Sequence, residues 1–253
     1  MFIIAANIVP EGGMFTKAWY IFQQNLPMFW YGIKITLMLA VMGTIFGLII
    51  GLLLGGIRAV KVEDRDKSLV KIIKKILHAV VGLYVWFFRG TPMMVQAMFF
   101  YYSLRSVIGW TPLVAGVIII SINTGAYMAE IIRSGIQSID KGQIEGARSL
   151  GMTNAQTMMC IVLPQAIRNS LPSIGNEFIV NIKDSSMLNV IGVTELFFQT
   201  SSVAGSVFLY METFLITCII YLVMTTAATF VLNIIEKKLN MQKNGFMQKA
   251  GEA

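Results

Sequence analysis

Residues 35–57, ITLMLAVMGTIFGLIIGLLLGGI, run for 23 positions without a charged side chain. A helix rises about 1.5 Å per residue and the hydrocarbon core of a bilayer is about 30 Å thick, so this run is long enough to cross it. Lipid offers no hydrogen-bond partners, so the backbone of such a crossing must satisfy itself as a helix. Gly43, Gly47, Gly51 and Gly55 recur at every fourth position. That spacing puts them on one face, where a second helix backbone can approach closely. The stripe is read as helix packing, not as a substrate surface.

Working outward, residues 213–235 give a second uncharged run of 23, and residues 112–129 a third of 18, ending just before Glu130. Two further apolar stretches are interrupted. Residues 76–104 hold Arg89-Gly90-Thr91-Pro92 in their middle, and residues 157–182 hold Pro164, Arg168, Pro172 and Glu177. The expected fold is therefore all-α and integral to the membrane, with five transmembrane helices, three clean and two broken. The whole composition agrees: of 253 residues, 56% are hydrophobic and 13% charged, against roughly a quarter charged in a soluble domain. Disorder and a disulfide scaffold are excluded. Cys160 and Cys218 lie in apolar runs and His78 is the single histidine, which excludes a zinc or redox cluster. The first ten residues lack a basic stretch, so no cleaved signal peptide is expected. The 17 methionines and 16 phenylalanines read as packing bulk.

The net charge of +7 is explained by topology. Segment 58–75 carries Arg58, Lys61, Arg65, Lys67, Lys71, Lys74 and Lys75; segment 133–148 carries Arg133, Lys141 and Arg148; the tail carries Lys237, Lys238, Lys243 and Lys249. With five crossings these three segments share one side, which collects fourteen of the 20 basic residues. The positive-inside rule puts that side in the cytoplasm and the N-terminus outside. The basic excess thus records orientation, and no nucleic-acid partner is expected. Residues 1–28 read as an extracytoplasmic segment, 29–238 as the membrane domain, and 239–253 as a cytoplasmic tail, frayed from Glu236 onward.

The cytoplasmic loop 134–156, SGIQSIDKGQIEGARSLGMTNAQ, is too patterned for a spacer. After a turn at Asp140-Lys141-Gly142, residues 143–150 read as a short helix stopped by Gly151, a residue suited to the position after a helix end. Ile144, Ala147 and Leu150 share a face, which suggests docking into a groove of another protein. Here the chain resembles the ABC importer permeases. Glu145-Gly146-Ala147, three residues, Gly151, nine residues and Ile161-Val162-Leu163-Pro164 match that family's cytoplasmic signature EAA-x3-G-x9-I-x-LP, with Gly146 in place of alanine. Glycine costs a helix about 1 kcal/mol relative to alanine, so this coupling helix is expected to be softer. The polar amino-acid branch is matched by Arg89-Gly90-Thr91-Pro92, Tyr127-Met128-Ala129-Glu130-Ile131-Ile132-Arg133, Gly142-Gln143 and Lys183-Asp184-Ser185-Ser186.

The resemblance covers residues 31–238 and implies a five-helix permease of a bacterial cytoplasmic (inner) membrane, with a second permease subunit, the same or different, beside it. It further implies two cytoplasmic ATP-binding subunits, docked through Glu145, Gly146, Ala147, Arg148 and Gly151, and an extracytoplasmic solute-binding protein. ATP and magnesium would be bound by the ATPase partner, and no cofactor by this chain, which has no phosphate-binding glycine loop with Lys-Ser/Thr. The outer segment with Glu195 and Gln199, together with residues 10–24, is where the binding protein is expected to touch.

Ionisable groups near the bilayer centre cost about 2.5–3.5 kcal/mol each on insertion scales, so they mark pathways or paired locks. Glu177, Asn181 and Asp184 stand at i, i+4 and i+7, on one face over about 10 Å. Arg89 and Thr91 stand at a helix break, where transporters place small polar cargo. An amino acid needs both charges: Arg89 and the Thr91 region would meet the α-carboxylate, and Glu177 and Asp184 the cationic groups. Two carboxylates on one face lean toward a cationic amino acid. The competing reading is that Arg89, Lys183, Glu177 and Asp184 neutralise one another. His78 reads as a packing residue, and Glu130 and Arg133 as partners. The rival functions are a stand-alone secondary transporter or channel, which the docking helix disfavours, and a membrane enzyme, which lacks a catalytic set.

Overall fold

The computed structural model describes residues 11–60, 62 and 67–251, with side chains through residue 238. Expectations resting on residues 1–10, on Lys61 and Arg65, and on the side chains of Lys243 and Lys249 lie outside what is described. Every regular element among the described residues is helical: α1 (Met14–Gln24), α2 (Leu26–Ala59), α3 (Ser68–Gly90), α4 (Met93–Ile108), α5 (Pro112–Gln137), α6 (Lys141–Ser149), α7 (Asn154–Gln156), a π-helical turn (Thr157–Val162), α8 (Leu163–Asp184), a 3-10 segment (Ser185–Ile191), α9 (Leu196–Val207) and α10 (Tyr210–Gly251).

The three uncharged runs become α2, α5 and α10, the helices long and apolar enough to cross a bilayer. Each is longer than its apolar core. α2 spans 34 residues, roughly 50 Å of helix, and it begins at Leu26, so the boundary expected at residue 28 falls inside it. α5 starts where Thr111 accepts a hydrogen bond from the Val114 amide and Pro112 takes the first position, which needs no amide donor. α10 remains helical through Gly251 instead of fraying at Glu236. The physical reason is propensity: glutamate, lysine, leucine, methionine and glutamine after residue 235 are all good helix formers.

The first of the interrupted stretches appears as a helix pair. α3 ends at Gly90, Thr91 and Pro92 are extended, and α4 begins at Met93; the proline ring and missing amide forbid continuation. The other, from 157 onward, is not broken as expected: it opens with the π-helical turn, Pro164 stands in the first turn of α8, where no amide donor is needed, and α8 then runs on through Pro172 to Asp184.

The centre of the fold is the α2–α5 seam. A Cβ added at Gly47 would lie 2.7 Å from Thr124 Cγ2, and one at Gly55 would lie 2.8 Å from the Ala129 carbonyl oxygen. At Gly51 it would collide with the Cβ of Met128. The glycine stripe therefore does the packing work expected of it. α8 and the π-helical turn before it close over this pair, burying Ala166, Ile174 and Val162 against Met128, Ile132 and Ile136. The segment between α8 and α10 is a packed layer, not an outer loop: Leu196 and Val203 of α9 sit with Phe29 of α2 and Ile216 of α10.

Candidate translocation site and coupling surface

The break between α3 and α4 is held by side chains. Gln96 Nε2 donates to the Thr91 carbonyl at 2.9 Å, to Thr91 Oγ1 at 2.7 Å and to the Phe88 carbonyl at 3.0 Å. Asn123 of α5 donates to Gln96 Oε1 at 2.9 Å and to the Phe88 carbonyl at 3.2 Å. Carbonyls freed by the helix end thus find donors inside the protein. Thr91 Oγ1 also donates to the Phe87 carbonyl at 2.9 Å, so its hydroxyl is engaged by the fold on both counts. Gln96 and Asn123 escaped the sequence reading because neutral polar residues in an apolar run carry no periodic signal.

Arg89, in the last turn of α3, is exposed, and its guanidinium carbon lies 5.2 Å from the centre of the Tyr127 ring on α5. That distance allows a cation–π contact. Glu177 is half-buried on α8 and feels the charges of both Asp184 and Arg89. Among the described residues, Arg89, Lys183, Glu177 and Asp184 form no ion pair with one another. Their charges nonetheless act on one another at longer range, Arg89 on Glu177 and Lys183 on Asp184. The two carboxylates and two cations of this group thus lie within electrostatic range of one another without closing into an ion pair.

Asn181 has a different setting from its two neighbours on that face. It is buried, it donates to Thr44 Oγ1 of α2 at 2.9 Å, and its Oδ1 accepts from Thr124 Oγ1 of α5 at 2.8 Å. Its amide ties three helices together at a level between the two carboxylates. Glu195 also departs from expectation. Placed by sequence in a segment facing the binding protein, it is fully buried; it accepts from the Phe197 and Phe198 amides at 2.7 and 2.9 Å and from Tyr221 Oη at 3.2 Å. A carboxylate at a helix start satisfies otherwise unpaired amides and complements the helix dipole. Glu195 is the cap that seats α9.

The coupling loop folds as its spacing predicts, with one reversal. α6 starts two residues earlier than expected because Asp140 Oδ1 accepts from the Gly142 amide at 2.6 Å as its N-cap. Gly151 follows the helix with φ +80°, the left-handed conformation glycine adopts without strain. Glu145, Gly146 and Arg148 are exposed. Of the apolar face, however, Ala147 is buried and Ile144 packs onto the Val162 and Ile139 cluster, while Leu150 is 85% exposed. The face read as a docking surface mostly fastens α6 to its own chain; the outward surface is polar, with Leu150 at its end. Thr153 and Gln156 then form a capping box that starts the next helix.

At the same end of the bundle, Glu130 is clamped between Arg58 of α2 and Arg133, the latter through contacts of 3.0 and 2.7 Å. His78 Nε2 lies 2.9 Å from the Ile57 carbonyl oxygen, a packing role between α3 and α2. Among the described residues no His/Cys/Asp/Glu group could hold a metal ion.

The profile of the family described as "Binding-protein-dependent transport system inner membrane component" matches residues 69–241. The chain is 34% identical over 226 residues to the Glutamine transport system permease protein GlnP of Escherichia coli (strain K12), spanning 88% of this chain and 98% of that protein. It is 38% identical over 169 residues to the Probable amino-acid permease protein YxeN of Bacillus subtilis (strain 168), spanning 65% and 75% respectively. Among solved structures, a crystal structure of an amino acid ABC transporter with histidines superposes with a TM-score of 0.74 at 36% identity, covering 85% of this chain and 95% of that one. An inward-facing MetNI methionine ABC transporter shares the fold, with a TM-score of 0.69 at 21% identity over 84% of this chain and 96% of that one.

Proposed function

Because the chain belongs to the family of binding-protein-dependent transport system inner membrane components, we propose that it is the permease subunit through which a polar amino acid, preferably a cationic one, enters the cytoplasm. As a permease component it is not itself an enzyme, and the ATPase is a separate subunit. The N-terminus faces outward and the C-terminus the cytoplasm, as the basic residues direct. Two ATP-binding subunits dock on the exposed side of α6, at Glu145, Gly146, Arg148 and the Gly151 turn, with Ala147 as the anchor behind them. ATP and magnesium belong to those subunits. A second permease subunit stands alongside, and a solute-binding protein delivers cargo from outside.

The observation that carries the substrate reading is the unclosed charge arrangement: Arg89 and Glu177 within electrostatic reach, with no ion pair between them. A zwitterion could complete it, its carboxylate on Arg89 near the Thr91 break and its cationic groups on Glu177 and Asp184. Asn181 serves the site by fixing the height of that face. Transport proceeds by alternating access: ATP-driven closure of the ATPases moves α6, and the site changes the side it faces. A partner with equal affinity for both states could not drive this, so the coupling contact is essential.

The test is Glu177→Gln in the complex reconstituted with its ATPase and binding protein, scored by uptake of labelled arginine and glutamine. Loss of an interaction worth about 1.4 kcal/mol weakens cationic substrate transport about tenfold. Unchanged kinetics for the cationic substrate at normal expression would remove Glu177 from the site.

A further inference from the structure

Three guanidinium groups meet along two turns of α5. Arg89 comes from α3 and lies over Tyr127, Arg58 comes from the last turn of α2 and pairs with Glu130, and Arg133 belongs to α5 itself. Tyr127, Glu130 and Arg133 stand at i, i+3 and i+6, spacings that make successive pairs neighbours on the helix surface. Among the described residues a single carboxylate, Glu130, is bonded to this group. Its two oxygens are divided: Oε1 accepts from Arg58, and Oε2 accepts from Arg133 Nε and Nη2 at 3.0 and 2.7 Å. Arg133 Nη1 donates to Gln137 Oε1 at 2.8 Å, so that guanidinium is satisfied without help from Arg58.

The charges do not balance. One carboxylate meets two cations at Glu130, and Arg89 adds a third that forms no hydrogen bond or ion pair among the described residues. Arg58 lies within reach of the positive charges of both Arg133 and Arg89. Like charges gathered in a partly water-excluded place repel, and an anion that enters between them relieves the repulsion. The cluster is open enough to admit one: the side chains of Arg58, Glu130 and Arg133 keep 28%, 18% and 30% of their surface. A carboxylate suits guanidinium forks well, because each fork offers paired donors in one plane.

We propose that Arg58 is a second cargo-binding residue, which takes the α-carboxylate of the amino acid from Arg89 as the cargo leaves toward the cytoplasm. This rests on the reading of the chain as an amino-acid permease with Arg89 at its carboxylate site. Glu130 is the built-in competitor. It holds the Arg58 guanidinium when no cargo is there, so an incoming carboxylate must displace it and is held only briefly. Arg133 keeps Glu130 in place meanwhile. The hand-over works through the carboxylate, so it treats different side chains alike and gives no help to an amine that lacks that group.

The test uses the complex reconstituted in vesicles with its ATPase and binding protein, with ATP in the lumen. Uptake of external labelled L-arginine or L-glutamine is measured against the same amino acid in the lumen, and against its α-carboxamide there. The ratio of half-inhibiting concentrations, amide over acid, reports what the carboxylate contributes on the inner side. Arg58→Gln lowers that ratio about tenfold, as expected when one charged hydrogen-bond partner is lost. Glu130→Gln removes the competitor and raises it. Two residues that merely brace α2 against α5 would shift it the same way. Where Arg58→Gln fails to assemble, Arg58→Lys keeps the charge without the fork and lowers the ratio by less. A ratio that neither Arg58 variant moves, the outcome if a lipid phosphate holds that guanidinium, overturns the proposal. So do shifts of one sign at Arg58 and Glu130, or no lumenal inhibition of the parent complex. Parent uptake checks the permease reading separately: uptake of neither amino acid overturns both readings, whereas normal uptake with an unmoved ratio overturns this one alone.

Discussion

The α2–α5 seam can be probed by two alanine substitutions on one helix. At Gly51 a Cβ would strike the Met128 Cβ and lie 2.8 Å from the Met128 carbonyl carbon and 3.0 Å from the Ala129 amide nitrogen. Two of these atoms are backbone, so no side-chain rotation relieves the contact, and the helices must separate. A gap of 0.5–1 Å forfeits about a quarter to a half of each dispersion contact along the seam. Overpacking of this kind costs about 1–3 kcal/mol, against a gain of up to about 1 kcal/mol from replacing a helical glycine. Gly51→Ala is therefore destabilising overall. Gly56 is the internal control: a Cβ there meets nothing within 4 Å. Gly56→Ala keeps the propensity gain and raises stability by up to about 1 kcal/mol. The assay is thermal unfolding of the intact complex in detergent, with membrane retention measured in parallel. Opposite shifts are expected. Shifts of the same sign and size would refute the claim that close backbone approach, not glycine content, is what the stripe supplies.

Three further outcomes follow from contacts described above. Thr157 is buried with no hydrogen-bond partner for its hydroxyl; Thr157→Val removes an unmet polar group at nearly constant shape and raises the unfolding temperature, by the equivalent of about 1 kcal/mol or more. Gly146 has open space around the position of a Cβ, so Gly146→Ala stiffens α6 by up to about 1 kcal/mol, read as amide exchange in Lys141–Ser149 slowed up to about fivefold. Asn181→Ala leaves the Thr44 and Thr124 hydroxyls without their partner; it costs about 1–3 kcal/mol, visible as a lowered denaturation midpoint, and uptake falls with it.

What could be read in advance was whatever obeyed a length or spacing rule. Bilayer thickness made α2, α5 and α10 visible, Gly90 and Pro92 marked the gap between α3 and α4, and Gly151 marked the end of α6. What stayed hidden depended on direction in space. Leu150 shares a helical face with Ala147 by spacing, yet one is exposed and the other buried, because α6 ends at Ser149 and Leu150 is its cap, already off the helical path. Glu195 looked like a surface carboxylate until α9 supplied amides for it to cap. Asn181 shares a stripe with Glu177 and Asp184, but α2 and α5 come close enough to take its amide while leaving the carboxylates half-buried. No pattern in the sequence announces a π-helical turn, and none announced Thr157–Val162.

That turn sets a phase. Hydrogen bonds closing over five residues instead of four accommodate one residue more than an α-helical turn of the same span. Everything beyond it is rotated by about one residue's worth, near 100°, relative to an uninterrupted α-helix entering from Asn154. Glu177 and Asp184 therefore owe their compass bearing to six residues at the far end of α8, next to the coupling helix. Regularising the turn would swing both carboxylates off their present azimuth and pull Asn181 away from Thr44 and Thr124. The orientation of the charged face and the seat of the coupling helix are thus written into the same half-dozen positions.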